Sequence, residues 1–187
     1  MRRSWILVIF ILLVVDGYVG FRWYEGRREH RFDKHILRAA NRYQVDPALV
    51  KAVIWRESAF NPDSLGKAGE IGLMQIRELA AQEWAEAEKL AFFTHDSLRD
   101  PQTNMLAGTW YLSKLLRRYK STDNPLPYAL ADYNAGRTHV LRWMKGDGKT
   151  NSAVFLTQMD FPGTQKYIRT ITERQSVYSP HFALAKK

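Results

Sequence analysis

From Asp33 to Gln175 apolar residues recur at three- and four-residue spacing, and no stretch alternates apolar with polar residues as a half-buried strand would. That pattern restricts the chain to packed helices. Ile36, Leu37, Ala40 and Tyr43 share one face of a first helix. Asp46-Pro47 then opens a second, with Asp46 as N-cap and Pro47 at the first helical position. Leu49, Val50, Val53 and Ile54 give this helix its buried face, and Asn61-Pro62 is predicted to break it. A third helix is predicted from Glu78 to Leu90. Asp100-Pro101 introduces another, carrying Met105, Leu106, Leu112, Leu115 and Leu116. After Pro125 and Pro127 a short helix stops at Gly136, and Val140, Leu141 and Trp143 mark the next. Gly146-Asp147-Gly148-Lys149 reads as a flexible surface loop, and Thr164 to Gln175 as a last helix packed through Tyr167, Ile168 and Ile171. With 45% hydrophobic and 13% aromatic residues among 187, the chain can fill one core and is not disordered over long stretches. No repeat or low-complexity segment interrupts it. The expected fold class is mostly α.

The amino terminus has a different character. Arg2 and Arg3 precede an uninterrupted apolar run from Trp5 to Val15, the pattern of an export signal. Tyr18-Val19-Gly20 lacks the small first residue of a cleavage site. After Asp16 and Gly17 the apolar character resumes through Tyr18, Val19, Phe21, Trp23 and Tyr24, which extends the segment to about the 17–25 residues of a bilayer crossing. Asp16 is unfavourable there, whereas Trp23 and Tyr24 suit an interfacial belt. Residues 1–31 are therefore expected to form an uncleaved transmembrane anchor with its juxtamembrane segment, and residues 32–187 the functional domain. Arginines flank the run on both sides, so charge does not fix its orientation.

Six arginines and three acids fall before residue 32, which leaves the remainder of the +9 chain at about +6. A basic domain favours an anionic partner, but these cations are dispersed and nucleic acid would leave the apolar segment unexplained. Cysteine is absent, which removes disulfides, thiol nucleophiles and thiolate metal sites. The five histidines are far apart and form no metal-binding pair, so neither metal nor cofactor is expected. Glu57 is placed near the end of the second helix, where the negative end of the helix dipole disfavours an ionised acid. Gly66 to Ile76 contains three glycines but not the ending of a phosphate-binding loop.

Four blocks in order carry a resemblance. Arg56-Glu57-Ser58-Ala59-Phe60-Asn61-Pro62, Gly69-Glu70-Ile71-Gly72-Leu73-Met74-Gln75-Ile76, Asp100-Pro101 with Asn104, and Ala131-Asp132-Tyr133-Asn134-Ala135-Gly136 together resemble the soluble lytic transglycosylase family. The resemblance covers about residues 32 to 175. It implies a lysozyme-like catalytic domain that cleaves the β-1,4 bond between N-acetylmuramic acid and N-acetylglucosamine in peptidoglycan, giving 1,6-anhydromuramyl products. It also implies that Glu57 is the single catalytic group, first general acid and then general base, with the substrate's N-acetyl group as neighbouring nucleophile. The second carboxylate of ordinary glycosidases is then dispensable. A pKa lifted toward about 6–7 would suit that role, with Trp55, Phe60 and Met74 as apolar neighbours in sequence.

By the same resemblance Tyr133 and Gln75 contact the sugar, and Ser58, Met74 and Asn134 complete the substrate-binding set. The residue chemistry leaves alternatives. Asn134 also suits the turn made by Ala135-Gly136, and Ser58 either orients Glu57 or bonds local backbone. The partners implied are peptidoglycan strands and the cytoplasmic membrane, with the domain facing the periplasm or wall; cell-wall or secretion machinery is not identifiable from the sequence.

One block departs from the family pattern, since Gly163 and Gln165 stand where its members carry Glu and Arg, while Thr164 and Tyr167 are retained. Gly163 reads either as a lost cleft acid or as a turn residue with positive φ. Two other functions fit the residues: a hydrolytic muramidase using Glu57 and Glu70, and a non-catalytic peptidoglycan-binding module.

Overall fold

The computed structural model describes residues 2–184, with side chains omitted for residues 2–8, 21–25 and 184. The chain divides into two units, one ending at Lys34 and one beginning at His35. The first is dominated by one continuous helix, α1 (Arg2–His30). Its residues Ile9 to Val15 are each between 49% and 66% exposed, and Tyr18 and Val19 are exposed as well. Among the described residues no helix is long and apolar enough to cross a membrane. Much of the expected crossing, residues 2–8 and 21–25 with Trp23 and Tyr24 among them, lies outside the described side chains.

In the second unit the named elements are all helical, and among the described residues the only β-type pairings are the isolated bridges Leu65–Ile71 and Ile71–Ile76. α2 (Asp33–Tyr43) buries Ile36, Ala39, Ala40 and Tyr43. α3 (Pro47–Ser58) starts as its sequence dictates, with Asp46 Oδ1 accepting the Ala48 N–H at 3.0 Å and Pro47 in the first turn. Every residue from Pro47 to Ile54 is buried, so α3 is the central helix of the unit. Leu49, Val50, Val53 and Ile54 each contribute about 1.5–3 kcal/mol by leaving water. Lys51 is buried too, its ammonium over the rings of Tyr178 and Phe182.

α4 (Glu78–Ala87) packs on α5 (Pro101–Arg118), whose N-cap Asp100 accepts the Thr103 N–H at 2.7 Å. α6 (Pro125–Ala135) runs against α5 and stops where Gly136 takes φ 85°. α7 (Arg137–Trp143), α8 (Ser152–Gln158) and α9 (Pro162–Leu184) complete the unit, and α9 lies along both α3 and α6.

Four features depart from the sequence expectation. α3 ends at Ser58, three residues before Asn61, because Ala59 and Phe60 both adopt left-handed conformations (φ 47° and 62°) and the Ala59 N–H closes on the Trp55 carbonyl. Gly146–Lys149 is a 3-10 turn rather than a loose loop: Gly148 is buried and its carbonyl accepts the Tyr128 hydroxyl at 2.9 Å. A β-carbon on Gly148 would lie 2.3 Å from Gln158 Oε1, so a side chain there would have to displace the Gln158 amide. α8 has no clear signature in the sequence, because seven residues give a helical period too little length to show. α9 runs well beyond Gln175, where Tyr178 and Phe182 extend its buried face.

Candidate active site

The glycine-rich segment, through Ala68, Glu70, Gln75 and Ile76, lines one side of a cleft of about 620 Å³. In that segment Ile71 and Ile76 exchange backbone hydrogen bonds at 3.2 and 3.1 Å, and the Gly72 N–H reaches the Ser64 carbonyl at 2.8 Å. Asn104, buried on α5, locks the arrangement. Its Nδ2 donates to the carbonyls of Ile71 (2.7 Å) and Leu98 (3.0 Å), and its Oδ1 accepts the Met74 N–H at 2.9 Å. Gly72 has φ 77°, and a β-carbon there would sit 2.3 Å from Asn104 Nδ2, so both conformation and space require glycine at this position.

Glu57, in the last turn of α3, enters the cleft half-buried. Tyr167, reaching across from α9, donates its hydroxyl to Glu57 Oε1 at 2.5 Å. Burial pushes the Glu57 carboxyl from the usual 4.5 up to about 7. The Tyr167 hydrogen bond and the Arg56 guanidinium pull it down, and the charge of Glu70 pushes it up. Arg56 lies over the Tyr167 ring at 5.3 Å. The phenols of Tyr133 and Tyr167 are both held well above their usual pKa by burial and then by the neighbouring Glu57 charge, so they stay neutral. The result is one carboxyl that is about half protonated near neutral pH, beside two phenols that are fixed donors. Such a group can give a proton and take one back at the same pH.

The cleft brings together Glu57, Gln75, Tyr133 and Asn134. Tyr133 donates its hydroxyl to the Met74 carbonyl at 2.7 Å, so toward the cleft this oxygen can only accept. Gln75 holds φ 48°, and its Nε2 donates to the carbonyls of Ser64 (3.0 Å) and Gly72 (2.9 Å). Asn134 Oδ1 accepts the Thr164 hydroxyl at 2.8 Å, which ties the end of α6 to the start of α9. Two of the expected substrate-binding residues do not line the cleft. The Met74 side chain is fully buried against Gly108 and Thr109, and Met74 serves the site through its backbone. Ser58 donates to the Leu73 carbonyl at 2.8 Å and to Ile54 at 3.2 Å, pinning the glycine-rich segment to the end of α3.

The sequence assigns Tyr167 only a docking role and gives Arg77 and Tyr111 none, yet the latter two line the cleft. Asp132 also lines it, and is held by Arg118 at 2.6 Å and the Tyr119 hydroxyl at 2.7 Å. Tyr167 is 110 positions from Glu57, and no local spacing announces such a contact. Gly163 sits in the first turn of α9, exposed and outside the positive-φ glycines, and a β-carbon on it would meet nothing within 4 Å. The turn reading of Gly163 is therefore corrected. Gln165, in place of the family's arginine, donates to the carbonyls of Met159 (2.7 Å) and Leu156 (3.3 Å) and docks α9 on the end of α8.

Helices built around a buried α3 that ends on a cleft acid, with a glycine-rich wall beside it, define a lysozyme-like fold. Residues 34–156 match the family described as Transglycosylase SLT domain, and the chain belongs to that family. It is 35% identical over 129 residues to membrane-bound lytic murein transglycosylase F of Desulfosudis oleivorans, covering 66% of this chain and 26% of the relative. It is 32% identical over 143 residues to membrane-bound lytic murein transglycosylase C of Edwardsiella ictaluri, covering 73% and 39% respectively. The chain thus spans between about a quarter and two-fifths of the length of these relatives. Among solved structures, an inactive Glu-to-Gln mutant of lytic transglycosylase Slt from Pseudomonas aeruginosa shares the fold with a TM-score of 0.72 at 23% identity, covering 80% of this chain and 24% of that one. A 70 kDa soluble lytic transglycosylase in complex with bulgecin A gives a TM-score of 0.74 at 24% identity, over 84% and 25% of the two chains.

Proposed function

We propose that the protein is a peptidoglycan lytic transglycosylase. The observation that carries this reading is Glu57: a single half-buried carboxyl with its pKa raised to about 7, hydrogen-bonded by Tyr167 and opening on the cleft. In the first step protonated Glu57 gives its proton to the glycosidic oxygen, the bond from that oxygen to the muramyl anomeric carbon breaks, and the N-acetyl carbonyl oxygen closes on that carbon. In the second step the muramyl 6-hydroxyl oxygen attacks the same carbon and displaces the acetamido oxygen. The hydroxyl proton passes to the Glu57 carboxylate, so the acid is regenerated and no water is consumed. Tyr133, whose hydroxyl oxygen is left as an acceptor, is suited to the N–H of the acetamido group. Gln75 and Asn134 line the glycan path, while Ser58 and Met74 set the backbone that shapes it.

The exposed apolar run of α1 from Ile9 to Val15 supports attachment to the cytoplasmic membrane through a single amino-terminal anchor. The matched relatives carry "membrane-bound" in their names, which agrees. The substrate places the catalytic domain on the outer side. Incubating the full chain with purified peptidoglycan and weighing the released muropeptides tests the activity. Anhydromuramyl products, lighter by one water than the hydrolytic ones, are expected; reducing-end muramic acid would instead make the protein a muramidase, and no release would leave a binding module. Fractionation of a tagged chain tests the anchor, which a shortened, freely soluble periplasmic form would overturn.

A further inference from the structure

We propose that Glu70 is a positioning residue for this reaction: its carboxylate, fixed in the glycine-rich wall of the same cleft, acts through Glu57, and the Arg77 guanidinium beside it offsets its charge. The inference rests on the transglycosylase reading of Glu57. The place of the Glu70 carboxylate is built into the glycine-rich wall. Its Oε2 accepts the Ala68 N–H at 3.0 Å, and the Gly66 N–H donates to the Glu70 carbonyl at 2.8 Å. A β-carbon on Gly66 would lie 2.1 Å from that same Oε2 and 2.8 Å from the Glu70 β-carbon, so a side chain at position 66 would displace the carboxylate. Glu70 and Glu57 line the same cleft. Arg77 also lines it, with Nε 3.6 Å from Glu70 Oε1, too long for a hydrogen bond and close enough to offset charge. Arg77 is 65% exposed at its side chain and Glu70 24%, so the cation is the more weakened by solvent.

The other groups facing Glu57 come from three helices: Arg56 on α3 itself, Tyr133 on α6 and Tyr167 on α9. The two phenols stay neutral, and Arg56 favours the ionised acid, so Glu70 is the negative charge that opposes it. Asp132, the other carboxylate lining the cleft beside the rim acid Glu78, is committed to Arg118 and Tyr119. Like charges across a part-solvated cleft move a titration by about half a pH unit.

The test is a titration of Glu57 in the full chain in mild detergent, followed by NMR of isotope-labelled glutamate carboxyls, with E57Q identifying the signal. Glu70→Gln keeps the acceptor for the Ala68 N–H and removes only the charge. It is expected to lower the Glu57 midpoint by about half a unit, and Arg77→Gln to raise it by a smaller amount. The double variant is expected to fall between the two single variants, since each charge acts on Glu57 independently through space. The alkaline limb of the activity profile on peptidoglycan moves with the midpoint. An unmoved midpoint in Glu70→Gln overturns the proposal. So does loss of turnover at every pH without a change in midpoint, which would make Glu70 itself a catalytic carboxylate. If the midpoints shift as stated while the wild type yields no anhydromuramyl product, the functional reading fails and the charge coupling stands.

Discussion

Replacing Glu57 by glutamine is expected to do two things at once: abolish turnover and stabilise the fold at alkaline pH. The carboxyl is raised from 4.5 to about 7 on folding, chiefly by burial. Below the ordinary value both folded and unfolded chains hold the proton, and no penalty exists. Between the two values the unfolded chain releases it while the folded chain keeps it, so wild-type stability falls as pH rises, by about 1.4 kcal/mol per unit. Above the folded value the charge must be accommodated in the cleft, and the full cost is about 3 kcal/mol, or about 2 kcal/mol once the solvent at the exposed edge of Glu57 is counted. Glutamine carries no such cost, and its carbonyl still accepts the Tyr167 hydroxyl. The melting temperature of E57Q is therefore expected to match that of wild type near pH 4.5 and to exceed it by about 4–8 °C at pH 8. Thermal unfolding of both proteins across that range, by circular dichroism, measures it. Activity is expected to fall at least 10²–10⁴-fold, by about the most a general acid–base group contributes. A constant offset at all pH values, or a less stable E57Q at pH 8, would refute the account of Glu57 as a desolvated acid.

Tyr167→Phe removes the hydrogen bond that favours ionised Glu57, so the alkaline limb of the pH–rate profile is expected to move up by about one unit. Asn104→Ala leaves the Met74 N–H without its acceptor and the Ile71 and Leu98 carbonyls without their donor, which is expected to destabilise the protein by about 2–4 kcal/mol in urea unfolding. Gly163→Glu, in open space within the first turn of α9, is expected to raise stability by about 0.5–1 kcal/mol rather than strain the backbone. If the new carboxylate reaches the cleft, the alkaline limb of activity moves up as well, and a less stable variant with an unmoved profile would count against both statements.

The sequence by itself determined the helices and where most of them begin. Asp46-Pro47 and Asp100-Pro101 are local signals, in which a side-chain oxygen meets an orphan N–H two or three residues on, so no tertiary contact is needed to read them. The stop at Gly136 is equally local, because one backbone angle decides it. Glu57 could be singled out because it lies near the end of a helix with a buried apolar face, where the helix dipole disfavours an ionised acid. What was not legible is how α3 stops: Ala59 and Phe60 adopt left-handed angles that their types do not favour. Gly148 looked mobile because glycines in a polar stretch do, and only the Tyr128 hydroxyl and the Gln158 side chain show it to be fixed.

The site divides along the same line. The residue types at positions 57, 75, 133 and 134 were legible as candidates, but their convergence on one cleft depends on helices separated by up to 77 positions in the chain. Met74 and Ser58 looked like cleft residues because they adjoin cleft residues in sequence; their side chains turn inward and act through backbone carbonyls. The protonation state of Glu57 is wholly a tertiary property. Burial, the Tyr167 hydroxyl from α9, the Arg56 guanidinium and the Glu70 carboxylate set it together. Electrostatic energy depends on distance through space and on the surrounding solvent, and neither quantity is written in the order of residues along a chain.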